Sequence, residues 1–149
     1  MAINASFKSN NQTERQISNL AYSEFIIEGR KCHSIEGFYQ GVKRSGEEMQ
    51  NHIFQTFGIY AKNYSKPTTF VYFNGRKIKA GTKEHHQLIF EAQKCKYTQH
   101  KESKEALLST GNSKITHHVG NDSPLYPAKV YCKHLTTIRA MLQKRRIMN

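Results

Sequence analysis

Five stretches of the chain are predicted to be helices. In each, apolar residues recur at helical spacing or a residue suited to begin a helix comes first. Ser34 and Thr82 have the side chains preferred at helix starts, and Gly111 is a typical stop signal after a helix. The helices predicted in this way cover about 34–44, 47–60, 82–96, 101–109 and 134–145.

Two β-hairpins are predicted between these helices. Residues 25–27 and 30–33 flank Glu28-Gly29, where glycine can supply a positive φ. The β-branched and aromatic stretch 68–73 is followed by Asn74-Gly75, a favoured two-residue turn, and by a short return strand at 76–79. The pattern therefore predicts an α+β fold that is predominantly helical, with short hairpins. The polar stretch 1–13 is expected to be either frayed or a strand held by the rest of the domain.

The length and charge of the chain narrow this picture. A chain of 149 residues with 37% hydrophobic residues suits a single domain over 1–149 with an ordinary core. The formal net charge of +12 creates a positive field that attracts polyanions. Nucleic acid and phosphorylated small molecules are therefore the favoured partners, although a generally basic surface would give the same charge.

Several classes of protein are disfavoured by the sequence. The chain has no apolar stretch long enough to cross a bilayer, and its first residues are polar where a secretory signal is apolar, so we expect a cytoplasmic protein. Cys32, Cys95 and Cys132 are odd in number and widely spaced, which argues against disulfides. The histidine pairs 85–86 and 117–118 are adjacent rather than three or four residues apart. We predict neither a metal site nor a cofactor.

One predicted helix carries polar residues that could converge on a ligand. Glu36, Tyr39, Gln40 and Lys43 follow one another at i, i+3, i+4 and i+7, so they share one side of the helix after Ser34. The alternative is an ordinary solvated helix face with weak pairing between its side chains.

An ordered set of motifs resembles the NADAR, or YbiA-like, family. These motifs keep the family's order from about Ser18 to Leu142, so the resemblance covers nearly the whole chain and implies the YbiA-like fold. They are Ser-Asn-Leu-Ala at 18–21, Ser-Ile-Glu-Gly-Phe-Tyr-Gln-Gly-Val-Lys at 34–43, Lys-Tyr at 96–97, Leu-Leu-Ser-Thr-Gly at 107–111, Asn-Asp at 121–122 and Leu-Thr-Thr-Ile-Arg at 135–139.

The chain also departs from the family pattern. Gly37 stands where the family has histidine, Leu125 or Tyr126 stands where it has tryptophan, and 124–129 replaces a glycine-rich loop. The hairpin at 74–75 is a further departure. A base could stack instead on Tyr126, Tyr39 or Phe38, although core packing is the better interpretation for Phe38.

The resemblance implies hydrolysis of N-glycosidic bonds, in ribosylated pyrimidine intermediates of riboflavin synthesis and in ADP-ribose attached to nucleobases. Such bonds break as positive charge develops on the ribose, so a carboxylate can stabilise that charge or activate water. Glu36 and Asp122 are the candidate carboxylates. Their alternative roles are a favourable charge at a helix start for Glu36 and turn formation for Asp122.

Lys43 is the third candidate catalytic residue. Its amine could hold a phosphate or, when neutral, attack the sugar and form a Schiff base. We expect Glu36, Lys43 and Asp122 to line one cavity. The substrate-binding residues suggested by the same motifs and by side-chain chemistry are Ser18, Asn19, Tyr39, Gln40, Thr110, Asn121, Tyr126 and Arg139. The expected ligand is a ribosylated or ADP-ribosylated nucleotide, which nucleic acid could carry. The alternative function is a non-catalytic nucleotide or nucleic-acid binding protein that keeps the fold.

Overall fold

The computed structural model describes residues 2–118 and 122–148 and has an α+β architecture of helices and short two-stranded pairs. The predicted fold class is therefore confirmed. In chain order the elements are β1 (Ile3–Asn4), α1 (Gln12–Gln16), β2 (Phe25–Ile27), β3 (Arg30–Cys32), α2 (Ile35–Gly41), α3 (Glu47–Phe54), α4 (Gly58–Lys62), β4 (Phe70–Phe73), β5 (Arg76–Lys79), α5 (Lys83–Gln99), α6 (Lys101–Ser109), β6 (Ile115–Thr116) and α7 (Ala128–Met148).

The short helix α2 begins at the predicted cap and packs closely on α3. The Ser34 hydroxyl accepts a hydrogen bond from the Gly37 amide at 2.9 Å and donates one to the Thr56 carbonyl at 2.8 Å. A Cβ on Gly37 would lie 2.7–2.9 Å from three backbone carbonyl oxygens at the end of α3, and one on Gly41 would meet the Phe54 ring. The two glycines allow α2 to pack directly on the end of α3. This contact fixes the orientation of the opposite side of α2 relative to the rest of the domain.

Both predicted hairpins form with the expected turns. β2 pairs antiparallel with β3 across Glu28 and Gly29, and β4 pairs antiparallel with β5 across Asn74 and Gly75. All four turn residues have positive φ, between 46° and 82°. This matches the type I′ geometry that Asn-Gly favours. β4 begins at Phe70, two residues later than predicted.

The helices differ in part from the predicted limits: α2 ends at Gly41 rather than near 44, α5 continues to Gln99, and two further differences are larger. The stretch 47–60 is not one helix but two, because Gly58 has a φ of +62°, a left-handed conformation that cannot continue a right-handed helix. The last helix begins at Ala128 rather than near 134, since the Asp122 carboxylate accepts a hydrogen bond from the Ala128 amide at 2.8 Å. The added turns bury Tyr131.

The first residues form a strand and not a frayed segment. β1 pairs in parallel with β6, so that Ile3 lies opposite Ile115. The pairing is extended by the Ala5 amide, which donates to the Thr116 carbonyl at 2.8 Å. Residues 3–5 are thus tied to a part of the chain more than a hundred residues away.

Two clusters of buried apolar side chains meet at α2. Phe38 and Val42 belong to the cluster beneath the hairpins and α3, whereas Tyr39 packs against the cluster formed mainly by α5 and α7. Phe38 is fully buried, as the core-packing interpretation predicted. No helix among residues 2–118 and 122–148 is long and apolar enough to cross a membrane.

Candidate functional site

The polar side of α2 faces a cavity of about 600 Å³, which we call the main chamber. Glu36, Tyr39, Gln40 and Lys43 all line it, so the residues chosen by helical spacing lie together on one wall. The other lining residues come from four further parts of the chain and are Asn19, Lys62, Ser65, Pro67, Thr68, His117, Ser123, Pro124, Leu125, Tyr126 and Tyr131.

Glu36 presents a desolvated carboxyl group to this chamber. Its backbone amide donates to the Asn19 carbonyl at 2.8 Å, which fixes the first turn of α2, and its Oε2 accepts from Gln40 Nε2 at 2.8 Å. Burial raises the pKa of Glu36, although the bond from Gln40 and the charges of Lys43, Lys62 and His117 oppose this effect. A carboxylate with increased proton affinity is suited to accept a proton from water.

The Gln40 amide has an unused acceptor in the chamber wall. Its Nε2 donates both to Glu36 and to Ser65 Oγ, the latter at 3.1 Å. Its buried Oε1 has no hydrogen-bond partner among the described residues. A buried acceptor of this kind costs free energy until a donor reaches it.

Lys43 lies at the end of the same polar row. Its Nζ donates to the Lys66 carbonyl at 2.8 Å and lies 4.9 Å from the centre of the Tyr39 ring. Burial lowers the pKa of Lys43, and the neighbouring Glu36 carboxylate opposes that change. The ammonium has further N–H groups that can bind an anion. Because its pKa is lowered, it also loses its proton more easily than an exposed lysine does.

Aromatic rings form another wall of the main chamber. Tyr39 stacks on His85 with 6.0 Å between ring centres and 14° between planes, and Tyr126 lies 6.2 Å from Tyr39. The Gly81 amide donates to His85 Nδ1 at 3.0 Å. Burial lowers the pKa of His85 to about 4, so this imidazole is neutral at physiological pH. The wall offers faces on which a planar base could stack.

A second chamber of about 480 Å³ adjoins the first. Both chambers are lined by Glu36, Lys62, His117, Ser123 and Tyr126. Ser18 and Asp122 line only the second, so the three candidate catalytic residues lie on two connected chambers and not in one. The Asp122 carboxylate also accepts the hydrogen bond from the Ala128 amide, so it has a structural role at the start of α7.

His117 was not among the candidates from the sequence, yet it lines both chambers. Its Nδ1 is 2.8 Å from the Ala5 carbonyl oxygen, and its ring meets Tyr131 edge-on at 5.0 Å. Adjacent histidines gave no helical pattern, and the position of His117 depends on the pairing of β1 with β6. Lys62 and Ser65 were also missed, because they belong to none of the sequence motifs.

The remaining predicted binding residues are placed as follows. Asn19 and Tyr126 line the main chamber, and the Ser18 carbonyl accepts a hydrogen bond from Lys96 Nζ at 3.0 Å. Thr110 and Arg139 line neither chamber, so we withdraw them as candidates. The Arg139 guanidinium donates to Thr110 Oγ1 at 2.9 Å and to the Ser113 carbonyl at 2.8 Å, which ties α7 to the end of α6. Asn121 lies outside the described residues.

Buried lysine and arginine side chains near the site donate hydrogen bonds mainly to neutral oxygens.

Among the residues that the structure describes, no group of three or more histidine, cysteine, aspartate or glutamate side chains could hold a metal ion. The main chamber is lined by a carboxyl group, amides, ammonium groups, hydroxyls and one imidazole. Groups of these kinds can bind polar ligands and transfer protons.

Comparisons with known proteins give a match to a family model and a likeness in fold to solved structures. The family model described as Bacteriophage protein GP30.3 matches residues 12–140. The NMR structure of the E. coli protein YbiA resembles this structure with a TM-score of 0.71 at 19% sequence identity, covering 100% of this chain and 89% of YbiA. No curated protein matches the chain in sequence. At this identity the likeness confirms the YbiA-like fold that the motifs implied, and it leaves the chemistry to the residues of the site.

Proposed function

We propose that this chain, which belongs to the Bacteriophage protein GP30.3 family, is a hydrolase that cleaves the N-glycosidic bond of a ribosylated or ADP-ribosylated nucleobase. The observation that carries the proposal is the half-buried Glu36 carboxyl group, which lines one chamber together with Gln40 and Lys43. A volume of about 600 Å³ is within the range of pockets that hold a small organic ligand.

The proposed reaction uses the polar row of α2 on the sugar. As the bond from C1′ to the base nitrogen breaks, positive charge develops on the ribose, and the Glu36 carboxylate stabilises that charge and takes a proton from the attacking water. Gln40 Nε2 donates to Glu36 Oε2 and so orients the carboxylate for this step. The base stacks against Tyr39 and Tyr126, whose rings form one wall of the chamber.

Two roles are open to Lys43 in this reaction. In the first, its ammonium binds a phosphate of the ligand, as its net positive charge and remaining hydrogen atoms allow. In the second, the neutral amine attacks C1′ and displaces the base, which leaves with the electron pair of the broken C1′–N bond and takes up a proton. Opening of the ribose ring at its C1′–O4′ bond then gives a Schiff base. The lowered pKa of Lys43 supports the second role, whereas the nearby Glu36 charge supports the first.

We propose that the substrate is either an ADP-ribosylated base within nucleic acid or a free ribosylated pyrimidine of the kind used in riboflavin synthesis. The net charge of +12 favours the first of these, because an extended phosphate backbone can contact many cations. Exposed aromatic rings at and near the second chamber support it too. Phe7 is partly exposed and lines that chamber, and the Phe57 ring lies 5.2 Å from the half-exposed ring of Tyr22.

The same basic and aromatic surface also favours a second candidate function, namely binding of nucleic acid without catalysis. The two functions are distinguished by incubating the protein with ADP-ribosylated single-stranded DNA and with ribosylated pyrimidine phosphates, followed by mass spectrometry. An N-glycosidase releases free base or unmodified DNA together with the sugar. A binding protein leaves all substrates intact but retains labelled oligonucleotide on a filter.

The Glu36→Gln variant is the control for contaminating enzymes. Product formation by the wild-type protein that disappears in this variant supports the hydrolase. Equal product formation by both proteins, or none by either at high enzyme concentration, would overturn it.

A further inference from the structure

His117 lies where the main chamber and the second chamber meet. It follows β6, and its imidazole is one of the side chains that line both cavities. Glu36 is another, and a positive charge on His117 is near enough to affect the Glu36 carboxyl group. An imidazole and a carboxyl group are thus present at the same place in the cavity.

The hydrogen bond to Ala5 determines the orientation of the His117 ring. A carbonyl oxygen can only accept, so Nδ1 must carry the hydrogen in the 2.8 Å contact with the Ala5 carbonyl. Nε2 is therefore the nitrogen left for a ligand. It forms no hydrogen bond with residues 2–118 or 122–148, and the edge-on contact with Tyr131 restrains the ring. The imidazole is held as an oriented group by these two contacts.

Cleavage of an N-glycosidic bond needs a proton donor as well as a base. The departing nucleobase takes the electron pair of the broken bond, and protonation of that base removes the negative charge that would otherwise form. Glu36 cannot accept a proton from water and donate one to the base in the same step. The donor must therefore be a second group beside the sugar.

Three neighbouring groups are less suited to this task. His85, which stacks on Tyr39 behind the chamber wall, has its pKa lowered by burial to about 4 and so has no spare proton at neutral pH. Burial also raises the pKa of the Tyr39 hydroxyl, so that it releases its proton poorly. Lys43 already donates to the Lys66 carbonyl and faces the Tyr39 ring.

We propose that His117 is the general acid of the proposed hydrolysis and that its Nε2–H protonates the departing nucleobase. The bond between C1′ and the base nitrogen breaks, its electron pair goes to the base, and the base takes the Nε2 proton. Water attacks C1′ and gives its proton to the Glu36 carboxylate, so the sum of the step is addition of one water across the bond. Solvent then returns the Glu36 proton to His117. This inference rests on the proposed function.

The test compares two substrates that carry the same sugar group but differ in the leaving group. One is the ribosylated or ADP-ribosylated base that the wild-type protein hydrolyses. The other is the matching N-ribosyl pyridinium, which is nicotinamide mononucleotide or nicotinamide adenine dinucleotide. Its ring nitrogen is already positive, so nicotinamide departs as a neutral molecule and needs no proton donor.

The informative variant is His117→Asn. The asparagine amide can still donate to the Ala5 carbonyl in place of Nδ1–H, but it has no titrating nitrogen at the position of Nε2. We expect kcat/KM to fall by roughly 100-fold or more on the base that needs protonation, and by less than about threefold on the pyridinium. His52→Asn serves as the control, since His52 is exposed on α3 and lines neither chamber. It should leave both rates unchanged.

Three outcomes would overturn the inference. Equal loss of both activities in His117→Asn would mean that His117 binds the sugar or supports the fold, and no loss of either would mean that it takes no part. If the wild-type protein hydrolyses neither substrate, the proposed function itself fails and the role of His117 fails with it. The first two outcomes leave the hydrolase activity standing, so the two failures are distinguishable.

Discussion

At the scale of single residues, Glu36 combines burial with a short hydrogen bond from Gln40. Its pKa is higher in the folded state than in the unfolded state, so the native protein binds this proton more tightly. Stability from this group is fully present below its unfolded pKa and is lost as the pH rises through the folded pKa. The ionised carboxylate that the proposed reaction requires is thus present at a cost in stability.

We predict that Glu36→Gln lowers kcat by roughly 100-fold or more, because an amide can neither accept the proton of water nor stabilise a cation. The free energy of unfolding at neutral pH should stay the same or rise, since the buried charge is removed. Enzyme kinetics and urea unfolding measure the two effects. Glu48→Gln, an exposed change on α3, is the matched control, and near wild-type turnover in a folded Glu36→Gln protein would reduce Glu36 to a helix-start residue.

Lys43 gives a prediction that separates its two possible roles. If its amine attacks the sugar, borohydride treatment during turnover should leave an added mass on Lys43, because reduction fixes the Schiff base. If it binds phosphate, no adduct forms, and Lys43→Ala weakens ligand binding whereas Lys43→Arg retains it. Peptide mass spectrometry and binding measurements decide between them. Full activity and full binding in Lys43→Ala would exclude both roles.

The sequence was informative about residues that lie close together in the chain. The row from Glu36 to Lys43 follows from the period of one helix, and all four of its residues line the main chamber. His117 could not be found in this way, because its hydrogen-bond partner Ala5 is 112 residues away. Arg139 and Thr110 satisfied the motif but pair with each other, which sequence spacing alone does not reveal.

At the scale of secondary structure, the contact of α2 with α3 explains an unusual residue in the site helix. Gly37 stands where the resembled family has histidine, and its missing side chain would point at the carbonyls of Ile53, Phe54 and Thr56. A histidine there would not enter the main chamber in this arrangement. The close packing of the two helices therefore excludes it.

We predict that Gly37→Ser destabilises the fold by about 1–3 kcal/mol, because atoms added at this backbone contact force α2 away from α3. The same substitution at Gly46 is the matched control. Nothing lies within 4 Å of a Cβ on Gly46, and this residue begins α3 without a side-chain hydrogen bond. Gly46→Ser should be neutral or slightly stabilising. Thermal unfolding of both proteins measures the difference, and equal melting temperatures would refute the close contact.

The secondary structure was predictable where local chemistry determines it. Ser34 begins α2 and Asn74-Gly75 forms the turn of the second hairpin, as expected. The break between α3 and α4 was not predicted, because the apolar spacing continues through Gly58 and does not reveal the sign of its φ. The early start of α7 depends on Asp122 and on tertiary burial of Tyr131, neither of which appears as periodicity.

At the scale of the whole molecule, a fully buried lysine connects the second cluster with the site. Lys96 Nζ donates to the Ser18 carbonyl beside Asn19, and burial lowers the pKa of Lys96 to about 7. An unfolded lysine has a pKa near 10.5. Between these two values the unfolded chain binds more protons than the native protein, so stability from this group rises with pH.

We predict that raising the pH from 7 to about 9.5 increases the free energy of unfolding of the wild-type protein by roughly 3 kcal/mol more than that of Lys96→Met. The size of this effect follows from the difference between the folded and unfolded pKa values of Lys96. Comparison with the variant removes the contribution of the other titrating groups. Urea unfolding at several pH values measures the gain. Lys94→Met, at a partly exposed position on the same helix, should show the pH dependence of the wild type, and an identical curve for Lys96→Met would refute the assignment.

The pairing of β1 with β6 has a consequence for synthesis of the protein. His117 is oriented by Ala5, which leaves the ribosome 112 residues earlier. At usual rates of translation the interval is on the order of ten seconds, during which the early strand has no partner. A nascent chain that has already formed both hairpins therefore still lacks the oriented imidazole. Activity should appear only after the chain beyond Thr116 has emerged, so that incomplete products of translation remain inert.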